Sequence, residues 1–344
     1  MITDMTTRRV LAFPHRPQPH GGPGSFQIRL SHALEARGWT IVYADSGVTP
    51  DVVLVVAGTR KLAWLWRCKS RGARIVHRLD GFNWRYDMMP LSWKHRQRQK
   101  LNNLLMRTIR SRLADHVIYQ SQFVRASWHD RFGPAPCPDD VIYNGVDLCE
   151  FRPESRTGER PLPRLLCVEG SVHDSPAYVR PIEQLTRYLC DRGLVSETLV
   201  CGQFEADPES ELAGLVREGR IRVMGSLPRE EMPEVYRNSL YLVLEVHPAC
   251  PNSVVEALAS GAPVIGFDSG SLSELVSDTA GSVLPYGADP WKMQVPDVAA
   301  LGPAAETILE SYASYSDAAR RSAEERFGID EMVERYVAVL EAGL

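Results

Sequence analysis

The chain has 344 residues, a length that suits two domains better than one. Its hydrophobic content of 44% and charged content of 24% are those of a soluble globular protein, and a net charge of -4 argues against a dedicated nucleic-acid-binding protein. The seven cysteines form no Cys-x-x-Cys pair, which predicts reduced thiols in a cytoplasmic protein. The N-terminus lacks the apolar core of a signal peptide, and no apolar run approaches the roughly 18–20 residues of a membrane span.

Strands and helices alternate through the first half of the chain. A strand over Val10–Phe13 leads through a Pro/Gly/His-rich loop to a helix that Ser25 can cap and Gly38 ends. Further strands are predicted at Trp39–Ala44, Asp51–Ala57, Arg74–Leu79, Val117–Gln120 and Val141–Tyr143, with helices near 60–71, 92–113 and 122–132. Continuous apolar strands that alternate with helices are typical of a parallel sheet covered on both faces.

A second unit of the same kind follows a linker-like segment at 153–164, rich in Pro, Arg, Glu and Gly. Its strands are predicted at Leu165–Val168, Thr198–Cys201, Ile221–Met224, Leu240–Val246, Pro263–Gly266 and Ser282–Leu284. We therefore predict two doubly wound α/β domains, 1–152 and 165–325, that face each other and bind ligand in a central cleft at the carboxyl ends of their strands.

The segment PNSVVEALASGAPVIG, residues 251–266, carries the most specific chemical signal. A polar turn leads into a short helix, and the side chain of Asn252 or Ser253 can cap its first backbone N–H groups. The partial positive charge at such a helix start suits a phosphate. Glu256, one turn further in, is placed to accept hydrogen bonds from two sugar hydroxyls. The alternative is an ordinary capped helix whose glutamate faces solvent.

A glycine-rich loop follows the first predicted strand. Gly22 and Gly24 would let backbone N–H groups approach a phosphate closely, and the alternative is a flexible turn. A dinucleotide fingerprint would need a third glycine where Gln27 stands, so nicotinamide or flavin binding has little support.

Two polar residues lie at the end of the strand predicted at 74–79. Residues just past such strand ends are where α/β sheets place ligand contacts. His77 is either one of these contacts or a core histidine with a satisfied ring. Asp80 is harder to explain structurally, because a carboxylate at a strand end needs a partner or solvent.

Residues 94–112 carry seven Lys or Arg and no acid, with Leu101, Leu104, Leu105 and Ile109 at helical spacing. This pattern predicts a basic amphipathic helix, which can lie on an anionic membrane surface. The alternative is a core-packed helix with a solvated basic face.

The 251–266 segment closely resembles the nucleotide-sugar site of family 4 retaining glycosyltransferases. Other stretches resemble the same family in the same order: GGPGSF at 21–26, VIYNGVDLCEFRP at 141–153, VMGSLPREEMPEVYRNS at 223–239 and SGSLSELV at 269–276. The resemblance implies a GT-B fold whose last helix, within 326–344, returns to the first domain. It also implies a nucleotide-diphospho-sugar donor on the second domain and a glycosyl acceptor on the first, with no separate cofactor.

The resemblance further implies roles for single residues. Glu256 would hold the donor ribose under a helix that opens beneath the diphosphate, the glycine loop would lie over the donor phosphates, and the His77–Asp80 region would touch the transferred sugar. We therefore expect catalytic contacts from Asp80, His77 and Glu245, and donor contacts from Gly22, Gly24, Gly170, His173, Arg180, Asn252, Ser253 and Glu256.

The chain departs from the family pattern at two places. The acid that usually stands eight positions before the second glutamate is Pro248 here, and Glu245 is the nearest substitute. The family's Gly-Arg and following Lys, which neutralise the diphosphate, are replaced at Ser171 and Pro176. His173, Arg180 or Arg16 would have to supply that charge.

No Asp-x-Asp occurs, nor any G-x-S-x-G, H-E-x-x-H, Walker A or zinc-spaced Cys/His pattern. The sequence therefore predicts a metal-independent retaining glycosyltransferase. Two alternatives remain open: a GT-B-like nucleotide-sugar binding protein with a weakened active site, and a sugar-nucleotide epimerase on the same fold.

Overall fold

The computed structural model describes residues 9–17, 22–84, 92–153, 161–172, 176–204 and 211–343. The chain divides into two compact units, Met1–Asn144 with Asp330–Leu344 (unit 1) and Gly145–Ile329 (unit 2). Most of the linker predicted at 153–164 lies outside the described residues, so the predicted domain limits stay a prediction.

Unit 1 is built on a six-stranded parallel sheet. Its strands are β1 (Val10–Phe13), β2 (Thr40–Tyr43), β3 (Val52–Val56), β4 (Arg74–Leu79), β5 (His116–Tyr119) and β6 (Asp139–Val141), in the order β2-β1-β3-β4-β5-β6. Its helices are α1 (Gly22–Ala36), α2 (Leu62–Ser70), α3 (Trp93–Thr108) and α4 (Gln122–Phe132), with a π-helical turn at Ile109–Leu113 continuing α3. The central strand β3 is buried on both faces, as its continuous apolar sequence predicts.

The last helix of the chain, which we number α12 (Ile329–Glu341), packs within unit 1 apart from its first residue. Its Tyr336 ring contacts Phe26 of α1, with ring centroids 5.2 Å apart. Its Arg335 donates from Nη2 to the backbone carbonyl of Val141 at 2.7 Å. The C-terminal segment thus completes the core of the unit that contains the N-terminal segment.

Unit 2 repeats the architecture of unit 1. Its strands are β7 (Arg164–Val172), β8 (Thr198–Phe204), β9 (Ile221–Gly225), β10 (Ser239–Leu242), β11 (Val264–Phe267) and β12 (Gly281–Leu284), all parallel, in the order β12-β11-β10-β7-β8-β9. Its helices are α5 (Pro176–Asp191), α6 (Glu211–Arg217), α7 (Met232–Tyr236), α8 (Asn252–Ala259), α9 (Leu272–Leu275), α10 (Leu301–Glu310) and α11 (Tyr312–Arg326). This order of strands is that of the dinucleotide-binding α/β fold.

Each sheet has a point where the strand order reverses, between β1 and β3 in unit 1 and between β7 and β10 in unit 2. Ligands of open α/β sheets bind outside the carboxyl ends of the strands at such points. Two parallel sheets covered by helices confirm the predicted α/β fold class, and the reversals show where in each unit to look for a site.

One predicted helix boundary is wrong. We expected Ser25 to cap α1, but the helix already begins at Gly22. The Gly-Pro-Gly sequence reads as a loop, yet proline is tolerated in a first helical turn, where its missing N–H is not needed. The end of α1 is as predicted, because Gly38 has a φ of 85° in the left-handed region.

The structure also addresses the predictions of reduced cysteines and of no membrane-spanning segment. All seven cysteines are free thiols, as their spacing predicts. Within the described ranges, no helix combines the length and the apolar character needed to cross a membrane.

Candidate functional site

Two loops at the carboxyl edge of the second sheet fix where α8 begins. His247, in the left-handed conformation after β10, donates its backbone N–H to Ser269 Oγ at 2.8 Å. Ser271 N donates to the Pro248 carbonyl at 2.9 Å. Gly270, with a φ of 65°, lies so close to Pro248 that an added Cβ would be 2.5 Å from its ring. The loop that leads into α8 therefore packs against the loop after β11, and this contact fixes its position.

The start of α8 is uncapped by its own side chains, which corrects our expectation. Pro251 occupies the N-cap position, and no side chain there accepts from the helix. The Ser253 hydroxyl instead hydrogen-bonds the buried Tyr241, whose pKa is raised well above its usual value, chiefly by burial. Asn252 is the first helical residue, and its Oδ1 is buried without a hydrogen-bond partner. The helix start and the Asn252 amide thus both hold unused hydrogen-bonding capacity.

Glu256 is buried and paired with a cation. Its side chain is only 8% exposed, and Oε1 accepts from Arg229 Nη1 at 2.8 Å. Arg229 also approaches Glu150, with Nη2 3.5 Å from Oε2, and stacks over Phe151. Burial alone would lower the pKa of Arg229, but the two carboxylates outweigh it and the pKa is raised. The alternative that Glu256 faces solvent is therefore wrong.

Arg229 is the residue of this site that the sequence did not reveal. It lies in a 3₁₀ turn, Arg229–Glu231, that precedes α7, within the family-like segment 223–239. The sequence around Arg229 does not distinguish it from a solvent-facing arginine, because Glu256, with which it pairs, is 27 residues away in the chain. Only the fold brings the 3₁₀ turn beside α8.

The other predicted site residues of unit 2 lie at the same edge or outside the described residues. Glu245 follows β10 and is exposed. Gly170 lies in β7 next to open space, and Arg180 is exposed in the second turn of α5. His173 lies outside the described residues. The catalytic role of Glu245 and the donor roles of Gly170, Arg180 and His173 stay predictions.

Unit 1 has an open cavity of about 850 Å³ near the end of β3. Two of its lining side chains are in contact, with His15 Nε2 and Thr59 Oγ1 2.9 Å apart. Lys61, next to the lining residue Arg60, donates from Nζ to the Pro14 carbonyl at 2.8 Å. Burial and the nearby charge of Lys61 lower the pKa of His15. Gln27, the residue that replaces a third fingerprint glycine, donates to the His15 carbonyl at 3.0 Å. This bond ties α1 to the loop after β1.

The glycine-rich loop before α1 is only partly described. Gly22 is the exposed first residue of α1, and Gly24 is buried in its first turn. Residues 18–21 lie outside the described residues, so the predicted contact of this loop with phosphates stays a prediction.

His77 lies inside the first sheet rather than at its edge. Its side chain is fully buried, and Nε2 lies 2.7 Å from the Ala57 carbonyl oxygen. Burial lowers the pKa of His77 to about 4, with a smaller contribution in the same direction from Arg110. This environment is that of a neutral structural histidine, and we do not include His77 in the site proposed below.

Asp80 follows β4 and is partly buried. Burial raises the pKa of its carboxyl group, and the neighbouring Arg78 guanidinium opposes that shift. Its backbone carbonyl accepts from Trp128 Nε1 at 3.0 Å, which fixes the backbone at the strand end. Asp80 therefore occupies the predicted position past a strand end, and its catalytic role stays a prediction.

No group of three or more His, Cys, Asp or Glu side chains in the described ranges is arranged to hold a metal ion.

Comparison with protein families assigns both halves of the chain. Residues 6–150 match the profile described as Glycosyltransferase Family 4, and residues 182–310 match the profile described as Glycosyl transferases group 1. The chain therefore belongs to the group 1/family 4 glycosyltransferases. A search of curated protein sequences found no significant match.

Solved structures with the same fold include several glycosyltransferases. Sucrose-phosphate synthase (tll1590) from Thermosynechococcus elongatus superposes with a TM-score of 0.72 at 16% identity, covering 97% of this chain and 99% of that one. Anabaena Alr3699/HepE in complex with UDP gives 0.67 at 16% identity, covering 97% and 100%. A glycosyltransferase from Rickettsia africae ESF-5 gives 0.67 at 15% identity, covering 98% of each chain. At these identities the likeness shows a shared fold, which is GT-B.

Proposed function

We propose that the protein is a metal-independent retaining glycosyltransferase that moves a sugar from a nucleotide-diphospho-sugar to an acceptor hydroxyl. The observation that carries the proposal is α8, whose start has no side-chain cap and whose Glu256 is buried one turn further in. The helix follows β10, at the reversal of strand order where such sheets bind ligands. HepE, which has the same fold, was solved with UDP and with UDP-glucose, and this supports a nucleotide-sugar donor here.

The donor diphosphate would bind at the start of α8. Free N–H groups and the helix dipole both favour an anion there. The buried Asn252 amide adds to this preference, because its nitrogen and oxygen can exchange places and present an N–H donor to a phosphate oxygen.

The donor ribose would bind at Glu256. A carboxylate accepts hydrogen bonds only, so it can hold two adjacent hydroxyl groups at once. Arg229 supplies a positive charge 2.8 Å from Oε1, which favours the ionised form that such binding requires. Because Glu256 is almost fully buried, each hydrogen bond to a sugar hydroxyl would form with little competing water.

The reaction itself would depend on positioning and charge. The acceptor hydroxyl attacks the anomeric carbon on the face from which the nucleotide leaves, and the departing phosphate oxygen takes the acceptor proton. No protein nucleophile is required, so binding geometry and stabilisation of the leaving diphosphate supply the catalysis. Glu245 and Asp80 would contact the transferred sugar, and Arg180 and His173 are candidates for charge at the diphosphate.

Peripheral contact with an anionic membrane would go through α3. The core-packed alternative accounts for the buried Met106 on this helix but not for Leu104, which is 57% exposed, or Trp93, which is 73% exposed. Exposed apolar side chains on a basic helix are the features that hold a helix at a lipid surface. A cytoplasmic location remains our proposal from the free thiols.

Titration with nucleoside diphosphates tests the donor site. E256Q removes the carboxylate that would accept hydrogen bonds from the ribose hydroxyl groups. E150Q is the matched control, because Glu150 contacts the same arginine, Arg229, but does not belong to α8. We expect E256Q to weaken binding by about tenfold to a hundredfold, the effect of losing hydrogen bonds to a charged group. E150Q should stay within about threefold of the parent.

The same titration can test directly whether Glu256 binds the ribose, by comparing ribonucleotides with 2′-deoxyribonucleotides. The parent should prefer a ribonucleotide to its 2′-deoxy form, and E256Q should lose much of that preference. Equal affinity of parent and E256Q for every nucleotide that binds would refute the assignment.

A further inference from the structure

The cavity of unit 1 carries a strong positive bias. Two arginines, Arg60 and Arg98, line it together with His15 and His95, and the arginines supply its positive charge. The described residues that line it include no Asp or Glu. Lys61, which follows Arg60 directly, adds a further charge close enough to His15 to lower the pKa of that histidine. An anion that enters this cavity meets the guanidinium groups of Arg60 and Arg98 and no competing carboxylate from the described lining.

Polar amides and an uncapped helix add to the preference for anions. Asn83, Gln99 and Asn102 line the cavity and can donate or accept hydrogen bonds. Helix α2 begins two residues after Arg60, and no side chain caps its N-terminus. The positive end of that helix dipole therefore lies next to the cavity wall.

The cavity is the size of a small-molecule site rather than of a single ion. A volume of about 850 Å³ lies within the usual range of ligand pockets, roughly 300–1,000 Å³. Gly58 keeps part of this wall close-packed, since an added Cβ would lie 2.5 Å from Asn102 Oδ1. The exposed Arg60 and Arg98 can move to meet a ligand, whereas Thr59 is buried.

We propose that this cavity binds a phosphate-bearing glycosyl acceptor, with Arg60 and Arg98 contacting the phosphate and the amides contacting the sugar or alcohol part. Arginine suits this role because its planar guanidinium can bind a phosphate through two hydrogen bonds. That the phosphate compound is an acceptor rests on the proposed function. The preference of the cavity for phosphate rests on the lining residues alone.

Calorimetric titration without donor tests the inference. The probes are glucose 6-phosphate, inorganic phosphate and glucose, added to the parent chain, to R60Q/R98Q and to R71Q. Arg71 is an exposed arginine at the other end of α2, so R71Q is a matched control for loss of surface charge. Far-UV circular dichroism checks that each variant is folded.

We expect glucose 6-phosphate to bind the parent at least about tenfold more tightly than glucose, and to lose about tenfold or more in R60Q/R98Q. R71Q should match the parent, and R60K/R98K should recover part of the binding. Equal affinity for glucose and glucose 6-phosphate, or equal affinity of the parent and R60Q/R98Q, would overturn the proposal.

Titration with lipid vesicles distinguishes a lipid-linked phosphate from a soluble sugar phosphate as the ligand of the cavity. Phosphatidylcholine vesicles that contain either phosphatidylinositol or the same fraction of phosphatidylglycerol are titrated with the same variants, since Arg98 lies on α3 and any anionic lipid could attract it. Binding to phosphatidylinositol vesicles that R60Q/R98Q weakens more than binding to phosphatidylglycerol vesicles would assign a lipid-linked phosphate, and weakened binding of glucose 6-phosphate alone would assign a soluble one. Failure of every nucleotide to bind the parent would refute the proposed function but leave these titrations unchanged, so the two failures are distinguishable.

Discussion

Glu256 and His77 are both buried, but the residues around them differ. Glu256 has an arginine at 2.8 Å, whereas His77 lies 2.7 Å from a backbone carbonyl and is near the positive charge of Arg110. A buried carboxylate with a cation can stay ionised and accept hydrogen bonds, and a buried imidazole near Arg110 stays neutral. The sequence could single out both residues, because each stands in a recognisable segment. It could not predict their partners, which come from distant parts of the chain.

His77 should make stability depend on pH. Its pKa is about 4 in the folded protein and about 6.5 in the unfolded chain. Between these values only the unfolded chain binds the proton, so the free energy of unfolding falls as the pH falls from about 6.5 toward 4. From pH 7 to pH 5 this residue should remove about 2 kcal/mol.

Urea unfolding at the two pH values measures the effect in the parent and in H77Q, with H32Q at an exposed histidine as the control. H77Q should show a smaller loss between pH 7 and pH 5 than the parent or H32Q. The same loss in all three proteins would contradict a structural, neutral His77.

Elements were predicted well where the signal is local and less well where tertiary contacts decide. Strand β1 has the predicted limits, Val10–Phe13, because a continuous apolar run marks a buried parallel strand. Strand β10 was expected to continue to Val246 but ends at Leu242. Its pairing with β11 covers only Tyr241 and Leu242, and beyond these the chain turns toward His247. Val243, Leu244 and Val246 are buried, so their hydrophobicity indicates burial and not continuation of the strand.

The N-terminus of α8 shows the same limit. Asn and Ser at a helix start predict a side-chain cap. The fold instead directs the Ser253 hydroxyl to Tyr241 of the neighbouring strand. The sequence thus located the helix and its glutamate but not the state of the helix start.

Helix α3 should bind anionic lipid through its exposed apolar side chains. We expect the parent to float with phosphatidylglycerol vesicles and not with phosphatidylcholine vesicles, because basic residues flank Trp93 and Leu104. W93S/L104S should lower the bound fraction by about tenfold or more, as its apolar contact with lipid is lost. V48S, a change at an exposed apolar residue elsewhere in unit 1, is the control. Equal flotation of parent and W93S/L104S would show that α3 does not hold the protein at the membrane.

Helix α5 carries the predicted substitute for the missing diphosphate cations. If Arg180 faces the leaving diphosphate, R180Q should slow transfer by roughly 30- to 1000-fold, the effect of losing about 2–4 kcal/mol in the transition state. R192Q, at an exposed arginine just beyond the end of the same helix, should leave the rate unchanged. H173Q and the double variant extend the series to the other candidate.

Steady-state rates at saturating donor and acceptor measure this effect. Near-parental rates in R180Q/H173Q would rule out both residues. Arg229, already next to Glu256, and Arg16, whose guanidinium stacks over Tyr43, would then be the cations to test.

At the scale of the whole molecule, the alternation of strands and helices predicted the two parallel sheets. Strand order depends on contacts between distant segments, so the reversals at β1/β3 and β7/β10 became visible only in the structure. The return of α12 to unit 1 followed from family resemblance, and the packing of Tyr336 on Phe26 gives its physical basis. The sequence did not reveal the cavity of unit 1, because its two arginines, Arg60 and Arg98, come from separate segments of the chain.

Turnover of nucleotide sugars is the most direct test of the central claim, that this GT-B protein is a metal-independent transferase with its donor on α8. The parent, E256Q and E150Q are each incubated in excess chelator with a panel of nucleotide-diphospho-sugars, and release of the nucleoside diphosphate is measured. The account predicts slow release from at least one donor by the parent, because transferases leak donor to water. It predicts similar release with E150Q and a loss of about tenfold or more with E256Q.

Three results would contradict the account. Binding of a donor without any release would indicate a binding protein, and conversion to an epimeric sugar without release would indicate an epimerase. Release that the chelator abolishes and magnesium or manganese restores would show that the enzyme needs a metal ion.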